Sequence, residues 1–349
     1  MHLPKGGRMN RNIVKLGLIY IVSIVFLLVA FESSVCAKTV KLKLAHFMPT
    51  MHIQHKAGFV PFVEEVKRLT NGRVEIKIYP GGSLGNPKTM VNSIKKGVTD
   101  IGFVLPSYVP GRFKRSSVFE MPFIFKNSVH VTKVMYDLYD DHFAKDYKDF
   151  KVLWFLSSPL SQVHTVKKPI RGVDDFNGLT IRTSGVVETS SLKLLGANPV
   201  GMPISEMSIS LQKGVVDGAV TPFAAMNSFK LFGTINYVTE VNISGTLMAV
   251  LMNKKKWQSL PDFAKKAIDQ AAGRQMGIKA AAAYLGEDEE NIEKAKASNI
   301  KIYKPSGSEM QAIQSRIGSI WTDWVKKTSG KGIQAQELLD AVLASAKRN

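Results

Sequence analysis

From Val40 to His46 the chain alternates apolar and polar residues (VKLKLAH), the period of a strand with one buried face. Gln54 to Thr70 then takes a helical period, interrupted at Pro61 and ended by Asn71-Gly72. Val74 to Tyr79 (VEIKIY) alternates again before the turn residues Pro80-Gly81-Gly82. Pro87 to Lys96 is predicted as a short helix that starts on proline and stops at Gly97. Ile101 to Leu105 is an unbroken apolar run, the kind that is buried on both faces of a sheet. Strands alternating with short helices predict an α/β sheet with crossover connections.

The pattern resumes further along. Val152–Leu156, His164–Lys167, Leu179–Thr183 and Thr246–Met252 are predicted strands, and Ser190–Leu195 and Ser205–Lys213 predicted helices. Asp217-Gly218 reads as a turn at the end of a strand. No fixed-period repeat occurs, which excludes a solenoid. Phe263 to Ser298 is rich in Ala, Lys, Glu and Gln. Unbroken, it would make a helix on the order of 54 Å long, enough to run along two domains. Gly273, Gly277 and Gly286 interrupt its composition, and a pair of helices broken near Gly286 is the alternative.

The first 37 residues read differently. Lys5, Arg8, Arg11 and Lys15 precede the uncharged stretch Leu16–Phe31, and Ser33-Ser34-Val35-Cys36-Ala37 supplies small residues. That order is a secretory signal cleaved after Ala37, with an apolar stretch shorter than the ~20 residues of a membrane-spanning helix. Its removal takes away the only cysteine, which suits the oxidising bacterial periplasm. It also takes four basic residues and Glu32, so the charge falls from +19 to +16. The basic residues are dispersed, Lys254-Lys255-Lys256 being the tightest cluster. No nucleic-acid motif accompanies them, so a solvated basic surface that attracts small anions is the reading, with no nucleic-acid partner.

Seven segments carry a family likeness: IYPGGSLG (78–85), KKGVTDIGF (95–103), EMPFIF (120–125), NGLTIRTSG (177–185), GANPVGMPISE (196–206), LQKGVVDG (211–218) and MNKKKWQSLP (252–261). Their order and spacing resemble the periplasmic solute-binding receptors of TRAP transporters, the dicarboxylate-receptor (DctP) family, over essentially all of residues 38–345. The resemblance implies an α/β, two-domain periplasmic-binding-protein fold with a long helix spanning both domains and ligand in the cleft. It implies domain I from 38–159 and 248–287, and domain II from 160–247 and 288–349. It also implies delivery to a membrane permease of one large and one small subunit, driven by an ion gradient. A monomer is the simple expectation.

Arg182 matches the family's carboxylate-binding arginine, and a planar guanidinium offers the paired N–H groups a carboxylate needs. At other positions the chain departs from the sialic-acid-type receptors: Gln162 replaces a second arginine, Phe47 and Thr221 replace asparagines, Leu105 a glutamate and Ile204 an aromatic. Apolar walls around one charged anchor favour a monocarboxylate with a fairly apolar body. A small dicarboxylate is the alternative, with His164 or Gln162 taking the second carboxylate. His46 beside Phe47, His164 two residues along the strand from Gln162, Tyr108 and Trp154 are further candidate wall residues, and Arg112 a candidate second anion donor.

Other chemistries find little support. His46, His52 and His55 lack a nearby cysteine or carboxylate to complete a zinc site, so no metal is expected. Asp217 has no paired acid, nucleophile or histidine nearby. With no G-x-S-x-G elbow, no cysteine after residue 37 and no phosphate loop, neither an enzyme nor a cofactor is expected. A receptor for an ATP-driven importer or a sensor kinase is the remaining rival.

Overall fold

Leu42 and Leu44 are buried while Lys41 is exposed, and Val74 and Ile76 are buried while Glu75 and Lys77 are exposed. These alternating faces pair β1 (Val40–Ala45) with β2 (Val74–Tyr79) in parallel, residue for residue from Val40↔Val74 to Ala45↔Tyr79. The computed structural model describes residues 39–349, so the predicted export signal lies outside the described residues. The first sheet has the order β2-β1-β3-β10-β4, with β3 (Ile101–Val104), β4 (Phe150–Ser157) and β10 (Leu247–Asn253). Its β10 is antiparallel to both neighbours. The second sheet has the order β11-β9-β5-β8-β6-β7. It is built from β5 (Gln162–Thr165), β6 (Thr180–Thr183), β7 (Asn198–Gly201), β8 (Gly218–Thr221), β9 (Tyr237–Thr239) and β11 (Lys301–Tyr303). Gly218 opens β8, so Asp217-Gly218 is a strand start and not the strand end expected; the Asp217 carboxylate accepts from Thr180 N–H at 2.9 Å and ties β8 to β6.

Two segments pass directly between the sheets, 158–161 and 240–246, and they hydrogen-bond to each other. Ser158 N–H donates to Thr246 O (3.0 Å), Ser161 N–H to Ser244 O (2.8 Å) and Thr246 N–H to the Ser158 hydroxyl (2.9 Å). The third passage is helical. The predicted long helix is two: α1 (Asp262–Ala271) and α2 (Gly273–Ala297). The break falls at Ala272-Gly273, where Ala272 is extended and Gly273 has φ +81°, a left-handed conformation that glycine adopts without a Cβ penalty. It does not fall near Gly286, which lies inside α2 with open space around it.

The 25 residues of α2 extend about 37 Å and bind both sheets' surroundings. On one side its Ala280 and Ala281 carbonyls accept from Gln54 Nε2 (3.0 Å) and the Ser128 hydroxyl (2.9 Å). On the other, Asp288 Oδ1 accepts from Ala224 N–H (2.7 Å) and Asn291 Nδ2 donates to Phe223 O (3.1 Å). Gly277 permits the close approach: a Cβ there would run into the Phe155 carbonyl of β4 and sit 2.8 Å from the Tyr136 hydroxyl.

Burial raises the Asp288 carboxyl from its ordinary 3.8 to about 7. Its contribution to stability is therefore complete below the ordinary value and lost as pH rises through about 7. Asp288→Asn keeps the carbonyl acceptor for Ala224 N–H and removes the charge. The substitution is expected to raise the melting temperature more at pH 8 than at pH 4; equal shifts at both values would contradict this.

Candidate functional site

Arg182 sits in β6 between β7 and β8, where strand pairing buries its stem, and the side chain is 2% exposed. Nε donates to Met202 O at 3.0 Å, Nη1 to Val220 O at 3.1 Å and Nη2 to the Tyr108 hydroxyl at 3.0 Å. A guanidinium has five N–H donors, so among the described residues one N–H on each terminal nitrogen is unengaged. All three partners are neutral, and among the described residues no carboxylate lies within the 4.0 Å of an ion pair. Glu188, the acid whose titration Arg182 influences, is instead held by the Ser184 N–H (2.8 Å) and hydroxyl (2.7 Å). A buried cation without a counter-ion is costly, and the two remaining N–H groups are donors of the kind a carboxylate uses.

Tyr108 arrives from the other sheet, on the single helical turn Pro106–Tyr108 that follows β3. Its hydroxyl accepts from Arg182 and from Ile204 N–H (3.0 Å), which leaves its own proton to donate. Burial, the largest influence, raises the Tyr108 phenol above its ordinary value, so this donor is retained.

Arg182, Tyr108, Leu105, Ile204 and Thr221 line one narrow cavity. The Thr221 hydroxyl is buried there without a hydrogen-bond partner. The space measures ≈ 20 Å³, room for about one water molecule, so a larger guest enters only when the walls part. Further walls escaped the sequence reading: Met48, Met248 and Tyr284 supply apolar surface, and Ser158, Ser161 and Thr246 line the cavity from the paired crossing segments. Isolated serines and methionines carry no local signal; the crossing segments bring Ser158, Ser161 and Thr246 here, while Met48 follows β1 and Met248 lies in β10.

The remaining candidates are placed elsewhere. Gln162 faces Asn242, donating to its Oδ1 (2.6 Å) and accepting from its N–H (3.0 Å), which fastens β5 to the returning segment. His164 Nε2 bonds Thr221 O (2.9 Å) behind the wall, and its ring meets Phe223 edge-on. Phe47 stands one layer back, stacked on Phe103 and tilted against Tyr108. His46 pairs with His55 (2.9 Å) and stacks on Phe59, and Trp154 is core, packed on Phe59 and Phe62. Arg112 forms an ion pair with Asp149, away from the cavity.

Burial holds His46 and His52 at about 3 and His164 at about 4, so all three are neutral hydrogen-bonding groups near neutral pH. Neither His164 nor Gln162, the two donors weighed for a dicarboxylate's second carboxylate, is among the residues lining the cavity. His52 bonds the Tyr284 hydroxyl (3.2 Å) and so steadies a wall residue. Among the described residues no three His, Cys, Asp or Glu side chains are grouped to hold a metal.

Two sheets joined by paired crossing segments and a spanning helix, closed over a buried cation, define a solute-binding receptor. The chain belongs to the DctP family, bacterial extracellular solute-binding protein family 7, whose model matches residues 44–328. It is 31% identical to a marine metagenome TRAP solute-binding protein specific for aromatic acids, solved with metahydroxyphenylacetate. That likeness covers 88% of this chain and 99% of the other, with a TM-score of 0.85. A TRAP solute-binding protein from Rhodoferax ferrireducens, solved with copurified benzoate, is 28% identical over 89% of this chain and 98% of its own, with a TM-score of 0.86. The 2,3-diketo-L-gulonate-binding periplasmic protein YiaO of Escherichia coli is 25% identical over 70% of this chain and 75% of its own.

Proposed function

We propose that this receptor captures a monocarboxylate with an aromatic or otherwise apolar body, seating its carboxylate on the two free N–H groups of Arg182. The observation that carries this reading is the buried guanidinium with two unengaged donors and no carboxylate partner. The Tyr108 hydroxyl and the unpartnered Thr221 hydroxyl stand beside it as further donors. Leu105, Ile204, Met48 and Met248 form the apolar wall, and aromatic acids occupy two of the similar solved structures.

The domains follow the sheets: 38–159 with 248–287, and 160–247 with 288–349. They part and close by small rotations within the crossing segments, and acid contacting both sides favours the closed form. The receptor works as a monomer in the periplasm after loss of residues 1–37. It passes its acid to a TRAP permease of one large and one small membrane subunit.

The test is ligand-induced thermal stabilisation across a panel of benzoate, metahydroxyphenylacetate, succinate and a sugar acid. An aromatic acid at a hundredfold excess over its Kd should add about 2.7 kcal/mol, and Tyr108→Phe should weaken its binding about tenfold, because Arg182 and Ile204 N–H then lose an acceptor. A response to succinate or the sugar acid alone would refute the aromatic assignment.

A further inference from the structure

A second feature of the lobe junction is not used by the anion site. Glu120 ends the helical turn Ser116–Glu120 on the first-sheet side, and Glu188 lies in the helix Val186–Leu194 on the second-sheet side. Both are buried, at 4% and 2% exposure. Gly185, three residues before Glu188, is pressed against Glu120 and the Ser107 turn: a Cβ built on it would lie 2.8 Å from Glu120 Oε2 and 2.9 Å from Ser107 Cβ. The backbone of Gly185 is extended, a conformation open to any residue, so the restriction comes from the neighbouring lobe alone.

We propose that Glu120 and Glu188 form a proton-binding latch, so that closing the lobes takes up protons and rising pH favours the open cleft. Two acids brought together out of water cannot both remain ionised without a cation. The buried Arg182 guanidinium acts on Glu188 but lies within ion-pair distance of neither carboxylate among the described residues. Lys114, Lys327, Lys331 and Asp323 line the ≈ 150 Å³ cavity that Glu120 also lines, yet none of the lysines is within ion-pair distance of either carboxylate. Arg182 favours ionised Glu188, as do its bonds from Ser184, but burial outweighs them and raises the carboxyl. For Glu120, burial first and the charge of Glu188 second raise it from 4.5 to about 8. Tyr147 beneath lies within the field of Glu120, and Tyr108 within that of Glu188.

The sign follows from which form prefers the proton. A carboxyl that is raised only when closed leaves closure unopposed below 4.5 and opposes it increasingly up to about 8. Over that interval the closed-to-open ratio falls by up to about tenfold per pH unit for each proton taken up. The carboxylate ligand itself stays ionised throughout, since free carboxyls titrate near 4.

The experiment needs no ligand, so its outcome is separate from that of the acid panel. The purified receptor, labelled with ¹³C at glutamate carboxyls, is titrated from pH 4 to 10, and Glu120→Gln and Glu188→Gln assign the two resonances. Both wild-type midpoints are expected above the ordinary glutamate range, and Gly185→Val, which wedges the lobes apart, should return both towards it. Spin labels at Lys88→Cys and Lys193→Cys in the receptor lacking residues 1–37, which has no other cysteine, should move apart between pH 6 and pH 9. Their separation should not change with pH in the Glu120→Gln/Glu188→Gln double variant. Ordinary midpoints in the wild type would overturn the proposal, as would a pH response that survives intact in the double variant and so belongs to Glu287 or Asp288. Should the double variant fail to fold, the comparison of wild type with Gly185→Val decides alone: unchanged midpoints would overturn the latch.

Discussion

Arg182→Ala is expected to remove acid binding almost entirely. Truncating one partner of a buried, hydrogen-bonded charge pair costs about 2–5 kcal/mol, a loss of roughly thirtyfold to several thousandfold in affinity. Arg182→Lys should not restore it, because a lysine ammonium cannot present two parallel donors while also holding Met202 O, Val220 O and the Tyr108 hydroxyl. Calorimetry with benzoate or metahydroxyphenylacetate measures the loss. Melting curves with and without acid separate anchoring from scaffolding. An arginine that merely braces β6 would lower both curves together, whereas an anchor abolishes the difference between them. Equal acid-induced shifts in wild type and Arg182→Ala would sink the proposed binding mode.

The same substitution at two glycines of α2 should have opposite signs. Gly277→Ala places a methyl group on the Phe155 carbonyl and against the Tyr136 hydroxyl, so α2 must lift from β4. Overpacking against backbone costs about 3 kcal/mol, a fall of about 5 °C in melting temperature for a domain pair of this size. Gly286→Ala meets nothing within 4 Å. It should stabilise by up to about 1 kcal/mol through helix propensity. Thermal denaturation of both variants is the check, and a Gly277→Ala protein as stable as the wild type would show that α2 is not seated on β4 as described. Because α2 also holds Ala224 and Phe223 on the far side, the Gly277 variant should bind acid less tightly as well as melt earlier.

Particular elements show where local sequence suffices. β1 and β2 were legible because Leu42, Leu44, Val74 and Ile76 alternate with charged residues, and a strand with one wet face writes its period into the chain. β9 and β11 have three residues each, too few for a period to show. The break at Ala272-Gly273 was ambiguous because three glycines lay in a helix-forming stretch; which one bends depends on where α1 and α2 must pack, and Gly277 is instead used for close contact.

The amino-acid order by itself determined the α/β class, the strand that carries Arg182 and the family, since periodicity and motif spacing are properties of neighbouring residues along the chain. Only the tertiary structure decided that Arg182 has two free donors, that Thr221 and Tyr108 share its cavity while Gln162, His164 and Trp154 do not, and that Glu120 meets Gly185 near Glu188. These are contacts between residues 20 to 74 positions apart. Their existence depends on how two sheets close on one another, which no local pattern encodes.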